Sequence, residues 1–454
     1  MPVEVIGSIG PRPYQQEGIE FLRTRKRAAI WDEMGLGKTS QALYAIPPGS
    51  QTLVLTVKSA LGVWENEAAK WLGLDVMTYV GPPKQRESTW QSYCAAGSIL
   101  VAPYSMTSEL VRRRAVWDVI VLDEAHKLKS RNSQTSIAMR AFKSEYMFQL
   151  TGSPAPHDPG DYWAQLHLLD PKTFPSYWAF VNKYMHLVEL DYKPEIKVIE
   201  GIRDRAGLKE LLSRFALRRT KRSVGIQLPA KIRQTIPCRL NKRQQVTYND
   251  MERDFVTKLA EDHWVLSPNA MVTALRLRQL AISPAVLGGE DNSGVLDAVM
   301  EQLILDLEAG NKVVIFSCFR KPLDLIAGRI QAKKLGLDCI FMVGGLKTDE
   351  VSARLKRFDT GASQLLLASV SIAQGWAATS ANTAYFVGPD YSAEVNYQAE
   401  DRLHRIGQTR TVVIKYFMTP EDERLQDILN NKVRLRNLTE IVTTALATSD
   451  EFGS

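Results

Sequence analysis

An apolar run, Ala28-Ala-Ile-Trp31, leads directly into Asp32-Glu-Met-Gly35-Leu36-Gly37-Lys38-Thr39 and then into a helical pattern that ends near Ile46. A strand, a glycine-bearing loop and a helix in that order constrain the fold more than any other stretch. Gly35 and Gly37 let backbone N–H groups, including those flanking Leu36, approach an oxyanion; Lys38 reaches terminal phosphate oxygens, and Thr39 offers a hydroxyl to magnesium as the helix begins. Asp32 occupies the place of the first glycine in the general loop pattern, but the strand-loop-helix context is intact. The expected ligand is ATP.

Short apolar, β-branched runs recur with helical patterns between them at Ala28 to Trp31, Thr52 to Val57, Ile99 to Ala102, Val116 to Leu122 and Met147 to Leu150. A second series follows at Val313 to Ser317, Cys339 to Val343, Leu365 to Ser369, Ala384 to Val387 and Val412 to Phe417. Alternation of this kind predicts α/β architecture in two lobes, each a parallel sheet wrapped by helices. Between the series, helical patterns dominate, as in Leu208 to Ala216, Gln244 to Glu261 and Ala270 to Ala281. The expected division is an N-terminal lobe over 1–225 with a helical insertion near 160–216, and a C-terminal lobe over 226–454 with one near 240–290. Glycine and proline in Ser223-Val-Gly-Ile-Gln-Leu-Pro229 mark the boundary.

Val119-Ile-Val-Leu-Asp123-Glu124-Ala125-His126 is an apolar strand ending in two carboxylates, where a parallel sheet presents catalytic groups. Asp123 is expected to fix magnesium, directly or through water, Glu124 to orient or deprotonate an attacking water, and His126 to couple the pair to its neighbours. Near the other end of the chain, Gln398-Ala-Glu-Asp-Arg402-Leu-His-Arg405-Ile-Gly-Gln408 sets two arginines three residues apart, a spacing that puts both on one helix face. They are the candidate arginine fingers, a device worth roughly 10³ to 10⁵ in phosphoryl-transfer rate.

Lysine and arginine outnumber aspartate and glutamate by 57 to 50, a formal charge of +7 that favours a polyanionic partner. The excess gathers in Arg23 to Arg27, Arg112 to Arg114, Arg218 to Arg222 and Lys432 to Arg436; each alone also fits a solvated helix face. The four cysteines form no Cys-x-x-Cys pair, which argues against a disulfide framework or a zinc site. No apolar run approaches the length of a membrane helix and no signal peptide is evident, so the expectation is a cytoplasmic protein. Trp64 and Trp71 read as helix-packing residues.

Together, Arg12-Pro-Tyr-Gln15, Asp32 to Thr39, Asp123 to His126, Thr151-Gly-Ser-Pro154, Leu217-Arg-Arg-Thr-Lys221 and Gln398 to Gln408 resemble the motif series of the SWI/SNF-type ATPases of helicase superfamily two. Leu275 to Pro284, Ser293 to Leu296 and Val314 to Ser317 resemble that family's second-lobe landmarks, and the Arg-Ile-Gly-Gln ending is most similar to its annealing-helicase branch. The resemblance implies two RecA-like lobes of the P-loop NTPase class, with Gln15 at adenine and with Gly375, Arg402, Arg405 and Gln408 completing the ATP site. It also implies DNA contact or coupling through Lys58, Ser59, Thr151, Gly152, Ser153, Arg218 and Arg219. ATP and magnesium are the implied ligands. The implied activity is a DNA-stimulated ATPase, a monomer that translocates on double-stranded DNA and remodels DNA-bound proteins or branched junctions. A minimal bacterial or phage form, at work on the nucleoid, fits the length.

Two departures stand out. Ser371-Ile-Ala-Gln-Gly375-Trp376-Ala-Ala378 has bulkier residues than the family's loop, and the family's proline is missing from Thr56-Val-Lys-Ser-Ala60. A strand-separating helicase, an RNA-dependent ATPase and an ATP-binding clamp with little turnover remain the alternatives.

Overall fold

The computed structural model describes residues 10–424, apart from 97–98, 115, 129–132, 156–158, 191–192, 262–267, 347, 362 and 371–375. The expected ATP contact at Gly375 and the basic cluster Lys432 to Arg436 therefore lie outside the described residues. The chain divides into two compact units, residues 1–189 with 198–227 and residues 190–197 with 228–454.

The strands of the first half of the chain are β1 (Arg27–Ile30), β2 (Thr52–Thr56), β3 (Met77–Thr78), β4 (Ile99–Pro103), β5 (Val116–Asp123), β6 (Lys143–Leu150), β7 (Met185–Leu190), β8 (Lys193–Ile202) and β9 (Ala216–Leu217). β7 and β8 pair with each other, and the other seven form one parallel sheet in the order β3-β4-β2-β5-β6-β1-β9. Alternate side chains feed two cores. Leu53, Leu55, Leu100, Ala102, Ile120 and Leu122 pack with Tyr79, Tyr93 and Trp117 on one face. Val54, Val101, Val119, Val121 and Phe148 pack on the other with Ile19, Leu22, Leu43 and Trp64 of helices α1 (Pro13–Arg25), α2 (Lys38–Ala45) and α3 (Leu61–Leu72). A sheet covered on both faces needs the near-continuous apolar strands that the sequence supplies.

The register places the functional segments. Ile30 of β1 and Asp123 of β5 both sit opposite Leu150 of β6, so the three strands end level. The phosphate loop, the Asp123-Glu124 pair and the Thr151 segment consequently leave the sheet side by side at its C-terminal edge.

The second unit holds β10 (Lys231–Pro237), β11 (Val313–Ser317), β12 (Cys339–Met342), β13 (Leu365–Ser369), β14 (Thr383–Val387) and β15 (Val412–Met418), all parallel, in the order β10-β15-β14-β11-β13-β12. Val314, Phe316, Leu366 and Phe386 fill one face, with Trp376 and Leu403, and Val313, Ile315, Leu365 and Leu367 fill the other. The expected helical segments form at Arg205–Phe215, Lys242–Glu261 and Pro268–Ile282, and the last two pack through Tyr248, Leu277 and Ala281. One expectation changes: the region near 160–216 is not wholly helical, because β7 and β8 lie inside it. Among the described residues, no helix is long and apolar enough to cross a membrane.

Candidate nucleotide site

The phosphate loop is built for an anion. Gly35 and Gly37 take φ of 85° and 74°, in the left-handed region that suits glycine, and Gly37 caps α2 without a side-chain hydrogen bond. The first N–H groups of α2 thus meet no capping side chain, and with the positive end of the helix dipole they suit an anion. The Lys38 ammonium donates to the Asp32 carbonyl at 2.9 Å. Desolvation holds its pKa below the ordinary lysine value, against the opposing pull of Glu124, Asp32 and Asp123. An arriving phosphate would favour the charged form by pairing with it.

Asp123 is held on two sides. Its Oδ2 accepts from the Thr56 hydroxyl at 2.8 Å and the Trp64 indole N–H at 2.9 Å, and its Oδ1 accepts from the Glu124 N–H at 3.1 Å. Burial pushes the carboxyl pKa up, while Trp64, Thr56 and Lys38 pull it down. The Tyr104 hydroxyl donates to the Asp123 carbonyl at 2.7 Å and fixes the strand end. Glu124 follows with φ of 51°, a left-handed conformation that costs a non-glycine residue roughly 1 kcal/mol or more. That turn redirects its side chain toward His126, whose Nδ1 lies 3.4 Å from Glu124 Oε2 and 2.9 Å from Thr151 Oγ1. Thr151 Oγ1 also accepts from the Ser153 N–H at 3.1 Å, so His126 and the Thr151-Gly-Ser segment are linked by hydrogen bonds, with Glu124 in ion-pair range of the imidazole once that is protonated.

These residues fit magnesium brought in with a nucleotide. Among the described residues no cluster of three or more His, Cys, Asp or Glu could hold a metal. The oxygens of Asp123 and Thr39 instead match an ion that takes one carboxylate, substrate phosphates and water. A buried carboxyl whose pKa is raised gains from a nearby cation.

Trp64, expected as a helix-packing residue, also supports Asp123. It is fully buried, as expected, but its indole also donates to Asp123 from 59 residues away. Trp64→Phe keeps an aromatic ring at this buried position, though a smaller one, and removes a donor that lowers the Asp123 pKa. The carboxyl pKa should then rise further, moving the acidic limb of the pH–rate profile to higher pH. An unmoved limb would separate Trp64 from the chemistry.

Arg219 is not where a phosphate contact would need it. Its Nε and Nη2 grip Asp32 Oδ1 and Oδ2 at 3.0 and 2.6 Å, Nη2 also donates to Gln41 Oε1 at 2.7 Å, and Nη1 serves the Tyr14 carbonyl and, at 3.2 Å, Glu17. All five guanidinium N–H donors therefore have protein acceptors, and the residue is buried. The expected DNA contact is corrected to an internal anchor of the phosphate loop. Thr151 is likewise buried, with its hydroxyl shared between His126 and Ser153, which leaves it a coupling role. Arg218, Lys58 and Ser59 are exposed, the last two in a single turn, Lys58–Ala60, while Gly152 and Ser153 are half-buried. Gln15 sits against the loop: its Nε2 donates to the Leu36 carbonyl at 3.3 Å and its Oε1 accepts from the Arg12 N–H at 2.9 Å.

In the second unit the arginine motif differs locally from expectation. The helix Ala393–Glu400 stops before Arg402, and 401–407 form turns, so Arg402 and Arg405 do not share a helix face. The reason lies in their neighbours. Glu400 is fully buried, accepts both Arg233 donors at 2.8 and 2.7 Å, and meets Lys231 Nζ at 3.1 Å. Asp401 also meets Lys231 at 3.1 Å, and His404 Nε2 lies 2.8 Å from the Pro229 carbonyl. Arg402 Nη1 donates to the Trp376 carbonyl at 3.1 Å, and Arg405 is half-buried. Gln408 is occupied by turn-building: its Nε2 donates to the Ala381 and Leu403 carbonyls, and its Oε1 accepts from the Thr409 and Arg410 N–H groups. The amide expected at ATP is thus a structural staple.

A parallel sheet carrying a phosphate loop, a strand-end carboxylate pair and a carboxylate–histidine–threonine chain defines a P-loop nucleotide site. The profile of the SNF2-related domain matches residues 14–286, and that of the helicase conserved C-terminal domain matches residues 295–407. The chain belongs to the SNF2-related family. It is 28% identical over 94% of its length to the human SWI/SNF-related matrix-associated actin-dependent regulator of chromatin subfamily A member 1, covering 44% of that protein. It is 26% identical over 90% of its length to the Danio rerio chromodomain-helicase-DNA-binding protein 8, covering 18% of it. The chain therefore spans less than half the length of these relatives. A solved SWI2/SNF2 ATPase core from Sulfolobus solfataricus, in complex with dsDNA, is 26% identical, with a TM-score of 0.45 over 94% of this chain and 92% of that one.

Proposed function

We propose that this chain hydrolyses ATP with magnesium, is stimulated by duplex DNA, and translocates on that duplex as a monomer to displace bound proteins or remodel branched junctions. One observation carries the reading. The Glu124–His126–Thr151 chain joins the carboxylate that would orient water to the Thr151–Ser153 segment, where DNA contact could be sensed. Lys38 would pair with the β and γ phosphates, Asp123 and Thr39 would hold magnesium, whose charge would offset that of the phosphoryl group, and Glu124 would position the water. By resemblance to the family's motif, Arg402 and Arg405 are the candidate arginine fingers. The names of the relatives, a regulator of chromatin and a helicase DNA-binding protein, support a DNA partner. The similarity of Gln398 to Gln408 to the annealing-helicase branch favours branched DNA, and a bacterial or phage-infected cell, with the protein on the nucleoid, is the proposed setting.

Displacement of a third strand from a triplex-bearing duplex tests translocation without requiring strand separation. ATP-dependent displacement supports the reading; hydrolysis with no displacement would leave an ATPase that does not move. Glu124→Gln should keep ATP affinity while lowering turnover by roughly 10²-fold or more. Normal turnover in that variant would remove Glu124 from the water-orienting role.

A further inference from the structure

The phosphate loop carries a buried network that the roles assigned above do not explain. Three side-chain donors converge on the carbonyl of Leu36: the Tyr14 hydroxyl at 3.3 Å, Gln15 Nε2 at 3.3 Å and Gln41 Nε2 at 3.2 Å. Gln41 is fully buried in α2 and its amide is oriented by charge on both sides. Its Oε1 accepts from Arg219 Nη2 at 2.7 Å, and its Nε2 donates to Asp32 Oδ2 at 3.1 Å as well as to Leu36. Asp32, in turn, is fully buried and bound at both oxygens by Arg219, whose own backbone N–H donates to Asp32 Oδ1 at 3.1 Å.

The neighbouring backbone is shaped to admit this network. A Cβ on Gly18, in the middle of α1, would fall 1.9 Å from Gln41 Oε1 and 2.8 Å from Arg219 Nη2, so glycine is required where helix propensity would favour alanine. A trans peptide is planar, with its carbonyl and its N–H pointing in opposite directions. Drawing the Leu36 carbonyl inward therefore turns the N–H of Gly37 outward, to the side where a phosphate would lie.

We propose that Gln41, oriented by the Asp32–Arg219 pair, is a positioning residue that locks the Leu36–Gly37 peptide so that the Gly37 N–H is presented to the nucleotide phosphates. Asp32, which stands in the place of a glycine, is the anchor of that lock. The inference rests on the nucleotide reading given above and adds a residue that touches no substrate. It differs from a packing role in what it predicts: phosphate binding weakens, while Asp123 and Glu124, which stand at the end of another strand, keep their contacts.

The test is Gln41→Met, which keeps volume and loses both polar ends, beside Tyr14→Phe, which removes one donor to Leu36 and little else. Binding of a fluorescent ATP analogue, KM and kcat for ATP, and thermal unfolding are measured on the full chain. A backbone N–H bonded to a charged phosphate is worth roughly 10-fold to 100-fold in affinity. Gln41→Met should accordingly raise Kd and KM by about 10-fold or more, with kcat at saturation within about threefold of the wild type, and Tyr14→Phe should shift KM the same way by a smaller factor. A folded Gln41→Met with unchanged Kd and KM overturns the proposal, as does a fall in kcat alone. Should Gln41→Met not fold, Tyr14→Phe decides by the same criterion. Absence of binding to the wild-type protein would instead refute the nucleotide reading itself, which keeps the two failures distinct.

Discussion

Arg219→Ala should destabilise the first unit by about 3–5 kcal/mol, because it leaves the Asp32 carboxylate buried without its cation. Asp32 is fully buried, and the guanidinium supplies bonds to both of its oxygens. The same substitution frees the Gln41 amide oxygen and the Tyr14 carbonyl, so several polar groups lose partners at once. Denaturant unfolding would show the loss as an early transition of the first unit, with the transition of the second unit unmoved. Arg219→Lys should recover only part of it, since an ammonium cannot reproduce a bidentate fork. A loss under about 1 kcal/mol for Arg219→Ala would show that water reaches Asp32 and that the pair is not an anchor.

Lys38→Ala should reduce ATP hydrolysis by roughly 10²- to 10³-fold or more, because one preorganised cation facing the developing phosphoryl charge accounts for that much. Folding should survive. In this structure the ammonium makes its hydrogen bond to a backbone carbonyl, and burial disfavours its charged form, so losing it should leave the packing of the loop in place. A Lys38→Ala protein with wild-type unfolding and background turnover fits a catalytic lysine, whereas near-normal turnover would place the hydrolytic site elsewhere in the molecule.

The parts that were legible in the sequence are those dictated by local pattern. The central strands β2, β4, β11 and β14 are buried along their whole length and read as unbroken apolar runs. β10 escaped because it is an edge strand, mostly exposed, whose Lys-Ile-Arg-Gln-Thr-Ile-Pro sequence shows no such run. β3 and β9 are two residues long and leave no pattern at all. At the site, Lys38 and the Asp123-Glu124 pair are announced by the strands that carry them. The supporting residues are not, because their partners are distant in the chain: Arg219 lies 187 residues from Asp32, and the exposed Arg218 beside it gives the pair the look of a surface cluster. Two signals were present all the same. A carboxylate in the place of a loop glycine needs a counter-charge, and a glutamine that precedes the Ala-Leu-Tyr-Ala run of α2 needs an internal partner. The break after Glu400 also depends on distant groups, since Arg233 and Lys231 claim the two carboxylates there.

Steady-state ATP hydrolysis, measured with no nucleic acid, with duplex DNA, with single-stranded DNA and with RNA, tests the central claim most directly when Lys38→Ala runs beside the wild type. Stimulation by duplex DNA well above the other three conditions, lost in Lys38→Ala, is the expected result. Stimulation by single strands or RNA alone would contradict the duplex reading, and turnover no higher than that of Lys38→Ala under every condition would contradict the assignment of this chain as an ATPase.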